Sequence, residues 1–238
     1  MCGRFTLRVD LRSVVERFRL HDPTQLDWEP RFNIAPTQTI LAVRRNAAGE
    51  RELVGLRWGL IPSWAKDAAI GNRLINARSE TVSEKPAFRA AYARRRCLVP
   101  ADGYYEWMRA EKGRKQPYWI GLRDQPLFAI AGLWETWRDP KGTRIESVTL
   151  LTTAANGATR SIHPRMPVIL RPALEPTWLG ETDATRDELS ACLMPYRSAA
   201  MNFFPVSSYV SRPQNEGPQC VAPAPGELER GVGAGPSK

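Results

Sequence analysis

Apolar residues follow two different spacings along the chain, one typical of helices and the other of strands. Between residues 10 and 21 the apolar positions recur on one face of a helix, and Asp10 can cap that helix. The same helical spacing returns over residues 83–95, and a short helix is predicted over residues 184–194. Helices therefore account for only a small part of the predicted fold.

Most of the remaining chain consists of short runs of β-branched and aromatic residues separated by Gly, Pro and Asp. Residues 39–46 and 52–60 predict a strand pair joined by a polar turn. Further strands are predicted at residues 97–100, 104–107, 118–122, 127–137, 147–154 and 166–170. Many strands with a few interspersed helices predict an α+β protein: a single β-rich domain with a barrel-like mixed sheet, flanked by several helices.

The composition changes after Arg212, where Pro and Gly become frequent and aliphatic residues rare. We therefore predict one domain over residues 2–212 and a flexible Pro/Gly-rich tail over residues 213–238. No apolar run approaches the roughly 18 residues of a membrane span, and no signal peptide is evident. The four cysteines have neither zinc-site nor disulfide-scaffold spacing. We expect a cytoplasmic, monomeric protein with reduced thiols, no contact with membranes and no metal or organic cofactor.

Charge and aromatic content change this picture by indicating a partner. The 238-residue chain has a net charge of +9, which favours a polyanion. Several blocks interleave Arg, Asn and Trp, a mixture that supplies phosphate contacts and flat surfaces for unstacked bases. These features favour single-stranded nucleic acid, and Trp64 is the tryptophan that we expect to face it. Scattered cations and buried tryptophans are the alternative interpretation.

Cys2 combines two reactive groups if Met1 is removed, which its small side chain permits. The α-amine titrates near pH 8 and the thiol near about 8.5 in model compounds, so both are partly reactive at neutral pH. The amine can form a Schiff base with an aldehyde, and the thiol can then close a five-membered thiazolidine ring. An internal cysteine cannot do this, because its nitrogen is an amide. Taken alone, a cysteine at position 2 could also be accidental.

Four sequence blocks make a specific combination: Cys2-Gly-Arg-Phe, Asn76-Ala-Arg-Ser-Glu-Thr, Gly103-Tyr-Tyr-Glu-Trp and His163-x-Arg-Met-Pro. Through these blocks, residues 2–210 closely resemble the SRAP family (SOS response-associated peptidase), the abasic site processing proteins. The resemblance implies the SRAP fold and a thiazolidine crosslink between Cys2 and the opened sugar of an abasic site. It also implies that the partners are single-stranded DNA and single-strand/double-strand junctions containing abasic sites. The protein would shield the lesion during the SOS response to DNA damage, and it would be associated with the nucleoid when bound to DNA.

The resemblance also assigns site residues in two groups. The positions matching the family's catalytic residues are Cys2, Asn76, Glu106 and His163. The positions matching its DNA-binding residues are Arg4, Arg78 and Arg165, which grip phosphate, and Asn33, Pro36 and Thr152, which lie near the site.

The chemistry of these residue types suits such roles. Asn76 can hydrogen-bond the Cys2 amine or the sugar hydroxyls without adding charge. Glu106 should face the site while Tyr105 and Trp107 point the other way on the same strand, and partial burial would raise its pKa for proton transfer. The pKa of His163 suits proton transfer to the sugar ring oxygen. A capping role for Asn76 and a surface ion pair for Glu106 remain open.

Two other functions compete with DNA crosslinking. Cys2 with Glu106 and His163 could form the active site of a cysteine-type peptidase. Its activity could be limited to the autoproteolytic removal of Met1. The chain could also be a passive single-strand-binding module without chemistry. Weak abasic-site lyase activity is expected if the Schiff base forms and the ring does not close.

Overall fold

Strands dominate the computed structural model, which describes residues 2–20, 26–109 and 115–224. In chain order the strands are β1 (Phe5–Leu7), β2 (Arg31–Ile34), β3 (Thr39–Arg45), β4 (Arg51–Trp58), β5 (Asn76–Arg78), β6 (Arg96–Ala101), β7 (Gly103–Arg109), β8 (Lys115–Leu122), β9 (Phe128–Arg138), β10 (Arg144–Ala154), β11 (Arg165–Pro167), β12 (Ile169–Leu170) and β13 (Met201–Pro205). The α-helices are α1 (Leu11–Phe18), α2 (Arg89–Arg94), α3 (Glu175–Leu179) and α4 (Arg186–Ala191). Short 3₁₀ helices lie at Ala68–Arg73, Pro172–Leu174, Ser198–Ala200, Ser208–Ser211 and Pro218–Val221.

Five of these strands close into a barrel. The ring runs β10–β4–β3–β6–β9 and returns to β10, with a parallel β10–β4 pair and antiparallel pairs elsewhere. Closure leaves no unpaired sheet edge within the ring, and its apolar side chains form the main core. Strand β5 adds to β10 in parallel and β11 adds in antiparallel, which extends the barrel on one side. The predicted α+β class and the barrel-like mixed sheet are confirmed.

A second, open sheet has the order β13–β8–β7–β1–β2 and is antiparallel throughout. Its central strand β7 begins at Gly103, where an added Cβ would lie 2.2 Å from the Trp119 ring. Glycine therefore allows β8 and its large indole to pack directly against the start of β7. The short strand β1 pairs with β7 through Phe5 and Tyr104, and this pairing fixes the position of the N-terminal residues.

The helices are shorter than predicted. In α1, the Asp10 side chain caps Ser13 N at 2.8 Å as expected, and the helix ends where Arg19 adopts a φ of +54°. The predicted helix over residues 83–95 begins only at Arg89, since Pro86 disfavours helical geometry in the residue before it. The predicted end of the first helix near His21 lies outside the described residues. No helix within the described ranges is long and apolar enough to span a bilayer.

Residues 213–224 do not behave as the tail that their composition predicted. The carboxylate of Glu216 accepts hydrogen bonds from Phe32 N at 2.5 Å and Arg31 Nε at 3.1 Å. Cys220 is buried in a 3₁₀ helix, and Pro223 forms a β-bridge with Val206. The predicted boundary at residue 212 is therefore too early. Backbone hydrogen bonds and a few individual side chains hold this segment in place, and it has no aliphatic face that its composition could have indicated. Residues 225–238 lie outside the described ranges.

Candidate active site

The open sheet brings Cys2 and Glu106 together. Strand β1 runs antiparallel to β7, and Tyr105 N donates to Arg4 O at 2.9 Å, so the chain before β1 continues alongside Glu106. The two side chains are close enough for the charge of Glu106 to add to the effect of burial in raising the pKa of the Cys2 thiol. Residues far apart in sequence thus meet through one strand pairing.

The barrel side supplies Asn76 and His163. Asn76 begins β5 opposite Leu150, and its Nδ2 donates to Cys2 O at 2.8 Å. His163 precedes β11, and its Nδ1 lies 3.8 Å from Oε1 of Glu106. Each sheet therefore contributes two residues to what we call the central cluster: Cys2, Asn76, Glu106 and His163.

Glu106 is a buried carboxyl group in this cluster. Burial raises its pKa to about 7, so both protonation states are accessible at neutral pH. Tyr105 and Trp107 lie on the opposite face of β7, as the strand alternation predicted. There Tyr105 belongs to a separate buried apolar cluster, and the partly buried Trp107 packs against that cluster. This environment suits a group that gives and takes protons.

His163 is held in a defined orientation by its neighbour in the chain. Its side chain is 25% exposed, and Nδ1 lies 3.1 Å from both the N and the O atom of Arg165, so it accepts from the one or donates to the other according to the tautomer. Burial lowers the pKa of His163 below its usual value, which favours the neutral ring and makes the protonated ring a stronger acid.

Cys2 is fully buried in the structure, where the chain still begins with Met1. Its Sγ lies 3.9 Å from Arg4 O, and desolvation raises the thiol pKa strongly. The thiol of this form is therefore protonated at neutral pH, in contrast to the ordinary thiol pKa assumed from the sequence. Activation of the Cys2 thiol requires a neighbouring base, and Glu106 is a carboxyl group close enough to affect the pKa of this thiol.

Two further polar atoms of the cluster were not anticipated. Asn76 Oδ1 is buried and has no hydrogen-bond partner among the described residues, so it can accept a bond from a ligand. Tyr104 is fully buried on the same face of β7 as Glu106; burial raises the pKa of its hydroxyl, and the charges of Cys2 and Glu106 add to this. The spacing of two residues from Glu106 on a strand was the signal that could have identified Tyr104.

Two of the residues assigned to DNA binding are exposed. Trp64 is 59% exposed and lines a cleft of about 660 Å³ together with Lys66 and Arg73. Arg78 is exposed on β5, two residues beyond Asn76, and donates no hydrogen bond within the described ranges. We call Trp64 and Arg78 the exposed pair. Pro36 is half-buried in the turn after β2, next to Thr37 with a φ of +75°.

Arg4 and Asn33 are buried instead of facing solvent. Arg4 Nη1 donates to Asn33 Oδ1 at 2.7 Å and to Val210 O at 2.9 Å, while Asn33 Nδ2 donates to backbone carbonyls of Arg212 and Asn215. In this structure the two residues tie β1 and β2 to the C-terminal segment, and their contact with DNA stays a prediction. Their residue types gave no indication that this segment would cover them.

Thr152 and Arg165 are also engaged within the protein. Thr152 is buried on β10, and Arg165 Nη2 donates to its carbonyl at 2.6 Å. The Arg165 guanidinium also forms a two-pronged ion pair with Glu80, with Nη1 on Oε1 and Nη2 on Oε2. The sequence predicted a guanidinium available to phosphate, whereas the structure shows one already bound to a carboxylate.

No group of three or more His, Cys, Asp or Glu residues in the described part of the chain is arranged to hold a metal ion.

Comparisons with known proteins identify relatives of this chain. The family model described as SOS response associated peptidase (SRAP) matches residues 1–213. The abasic site processing protein YoqW of Bacillus subtilis is 42% identical over 222 residues, which cover 93% of this chain and 99% of YoqW. The abasic site processing protein HMCES of Gallus gallus is 30% identical, over 98% of this chain and 79% of its own. A crystal structure of a protein from Bacteroides thetaiotaomicron superposes with a TM-score of 0.81 at 27% identity, covering 94% of this chain and all of that one.

Proposed function

Because the chain belongs to the SOS response-associated peptidase (SRAP) family, we propose that it processes abasic sites in DNA by bonding Cys2 covalently to the opened sugar. The observation that carries this proposal is the central cluster, in which two sheets bring a thiol, a carboxyl group, an imidazole and an amide together around residue 2. The names of the relatives support DNA with abasic sites as the substrate.

Removal of Met1 prepares the reaction. Met1 is bonded directly to the Cys2 nitrogen, so its loss converts an amide into a primary amine and frees the space beside that nitrogen. Cys2 is fully buried while Met1 is present, which keeps the thiol from reacting before the terminus is processed. Asn76, already bonded to Cys2 O at 2.8 Å, then holds the new terminus in place, and its Oδ1 accepts a hydrogen bond from the amine.

The covalent chemistry proceeds in two steps. The amine of Cys2 attacks the aldehyde carbon of the ring-opened sugar, and loss of one water gives an imine. The thiol sulfur then adds to the imine carbon, and the thiol proton ends on nitrogen, which closes a thiazolidine. Holding amine, thiol and aldehyde together makes these condensations effectively intramolecular.

Glu106 and His163 move the protons. With a pKa of about 7, Glu106 can protonate the departing hydroxyl as an acid and take the thiol proton as a carboxylate. His163 in its protonated form donates a proton to the sugar ring oxygen as the ring opens and is left as the neutral imidazole, which its lowered pKa favours. These roles explain why two proton-transfer groups lie 3.8 Å apart beside the same residue.

Binding of the strand is assigned to surface groups. Arg78 provides an exposed cation for phosphate close to Asn76, and Trp64 provides an exposed ring on which a base can stack. Both contacts are independent of sequence and favour single strands and single-strand/double-strand junctions, where bases are unstacked. A protein of this kind would shield abasic sites during the SOS response.

Autoproteolysis is a second candidate that the same geometry supports. The Cys2 thiol can attack the Met1 carbonyl, with its proton going to Glu106; the Cys2 nitrogen leaves as the free amine, and water then hydrolyses the thioester. Proteolysis of other proteins is less well supported, since the net charge of +9 and the exposed Trp64 and Arg78 have no role in it. Weak lyase activity would follow if the imine undergoes β-elimination before the ring closes.

The central test is mass spectrometry after incubation with a single-stranded oligonucleotide in which uracil has been excised to leave an abasic site. We expect an adduct with the mass of the protein lacking Met1 plus the oligonucleotide minus one water. Cys2→Ser should lose the heat-stable adduct and keep at most a reducible imine. An added N-terminal extension should abolish the adduct.

Three outcomes would refute this proposal. These are a stable adduct from Cys2→Ala, full crosslinking by the extended chain, or cleavage of casein without any adduct on abasic DNA. The last result would favour a general peptidase, whereas binding of abasic DNA without any adduct would favour a passive binding module.

A further inference from the structure

The guanidinium of Arg165 binds a carboxylate in the same two-pronged geometry with which it would bind a phosphate. Nη1 donates to Glu80 Oε1, and Nη2 donates to Glu80 Oε2 at 3.0 Å. Carboxylate and phosphate both offer two oxygens to the planar fork of an arginine, so one anion excludes the other from these donors. Glu80 therefore stands where a strand phosphate would have to bind.

The two partners differ in how firmly they are held. The Arg165 side chain is 16% exposed, and its Nη2 is also anchored to Thr152 by the carbonyl at 2.6 Å and the hydroxyl at 3.3 Å. The Glu80 side chain is 50% exposed and lies in the turn after β5. When the pair separates, Glu80 can rotate into water at little cost, while Arg165 on β11 stays anchored to Thr152 of β10.

We propose that Glu80 is an internal competitor for DNA phosphate, which covers Arg165 in the free protein and turns into solvent when a strand binds. This inference rests on the proposed function, because it requires DNA at this surface. Its consequence is weaker binding to every strand, intact or damaged, so that lasting attachment depends on the covalent step at an abasic site. Glu80 thus becomes a residue that determines selectivity without touching the reacting atoms.

The charges around Glu80 fit this role. Its hydrogen bonds to Arg165 are the largest cause that lowers its pKa, and the charge of exposed Arg78 acts in the same direction. The competitor is therefore an anion throughout the neutral pH range. Two cations and one anion share this surface, so removal of the anion leaves both arginines available to phosphate.

The test is fluorescence anisotropy with an intact single-stranded oligonucleotide, which binds without crosslinking, over a range of NaCl concentrations. Glu80→Gln removes the competing charge, and Glu84→Gln, at an exposed position four residues later, is the matched control for net charge. We expect Glu80→Gln to tighten binding by about 3- to 10-fold beyond the control at low salt. Its slope of log K against log salt should be steeper by about 0.7, the value for one additional phosphate contact on a single strand.

A double-mutant cycle separates competition from a general charge effect. In an Arg165→Gln background, Glu80→Gln should change the affinity no more than Glu84→Gln does, because the competed cation is gone. Equal effects of the two glutamine variants in the wild-type background would overturn the proposal. Weaker binding by Glu80→Gln that Glu80→Asp restores would also overturn it, since Glu80 would then serve to orient Arg165.

Failure of this inference can be distinguished from failure of the proposed function. If the unmodified protein crosslinks abasic DNA while Glu80→Gln and Glu84→Gln bind alike, only the competition is wrong. If the unmodified protein neither binds nor crosslinks DNA, the proposed function fails and the role of Glu80 fails with it. Thermal melting of each variant confirms that the folded proteins are being compared.

Discussion

The central cluster and the exposed pair lie in opposite environments. Glu106 is buried with a pKa of about 7, whereas the Arg78 side chain is exposed and makes no hydrogen bond to another described residue. A buried group has its protonation equilibrium changed by its surroundings, while an exposed one keeps its charge and is screened by salt. Under the proposed function, proton transfer falls to buried groups and strand binding to exposed ones, so substitutions should separate the two.

The two arginines that the sequence treated alike make the same contrast. Arg4 is buried and bonded to Asn33 and Val210, while Arg78 is exposed. Burial turns the first into a structural residue, because leaving its partners unpaired would cost free energy. Exposure leaves the second available for a ligand.

The largest expected effect belongs to Glu106→Gln. An amide cannot exchange protons, so the rate of adduct formation with abasic DNA should fall by about 10²- to 10⁴-fold. Gel analysis of adduct formation over time at saturating DNA measures this rate. The affinity for an intact strand should stay near that of the unmodified protein; a comparable loss of affinity would show that the central cluster and strand binding are not separate.

Arg4→Ala should lower the free energy of unfolding by about 1–3 kcal/mol, since it leaves the buried Asn33 Oδ1 without its donor and removes one of the two donors to Val210 O. Urea denaturation followed by tryptophan fluorescence measures this change. Arg12→Ala, which removes the same charge from an exposed position on α1, is the control and should stay within about 0.5 kcal/mol. Equal stability of the two variants would contradict a structural role for Arg4.

The raised pKa of Glu106 predicts a pH-dependent difference in stability. The folded protein binds this proton more tightly than the unfolded chain, whose Glu pKa is near 4.5, so the contribution is complete below pH 4.5 and is lost as the pH rises through about 7. Glu106→Gln removes this penalty and should be more stable than the unmodified protein at pH 8 by about 1–3 kcal/mol. Urea denaturation at pH 5 and pH 8 tests this; a difference that does not grow with pH would argue against a buried, titrating carboxyl group.

Arg78→Ala should have the smallest of these effects. Loss of one exposed phosphate contact should weaken binding to any single strand by about 3- to 10-fold and reduce the salt slope by about 0.7. Anisotropy titrations at several salt concentrations measure both values, with Arg12→Ala again as the control for charge. An unchanged slope would mean that phosphate binds elsewhere. The rate of adduct formation at saturating DNA should remain near that of the unmodified protein.

Local patterns predicted much of the fold correctly. The pair β3 and β4 and the Asp10 cap follow from alternation and capping, which depend on neighbours in sequence. Strands β1, β2, β5 and β13 were missed: β1 and β5 are only three residues long and β2 only four, and all of them are stabilised by pairing with other strands rather than by their own composition. The helix predicted from residue 83 was too long, because the effect of Pro86 outweighed the apolar spacing.

The sequence by itself determined the residue types of the site: a cysteine that can become the terminus, and the Asn, Glu and His in the blocks that resemble the SRAP family. It also determined the net positive charge that favours DNA. Only the tertiary structure decided which of these groups are buried, which arginines are free and which carboxylate Arg165 binds. The physical reason is that burial and ion pairing depend on strands that are distant in sequence, as when β1 meets β7 and the turn after β5 meets β11. A side chain's charge is a local property, whereas its availability to a ligand depends on the neighbours that folding supplies.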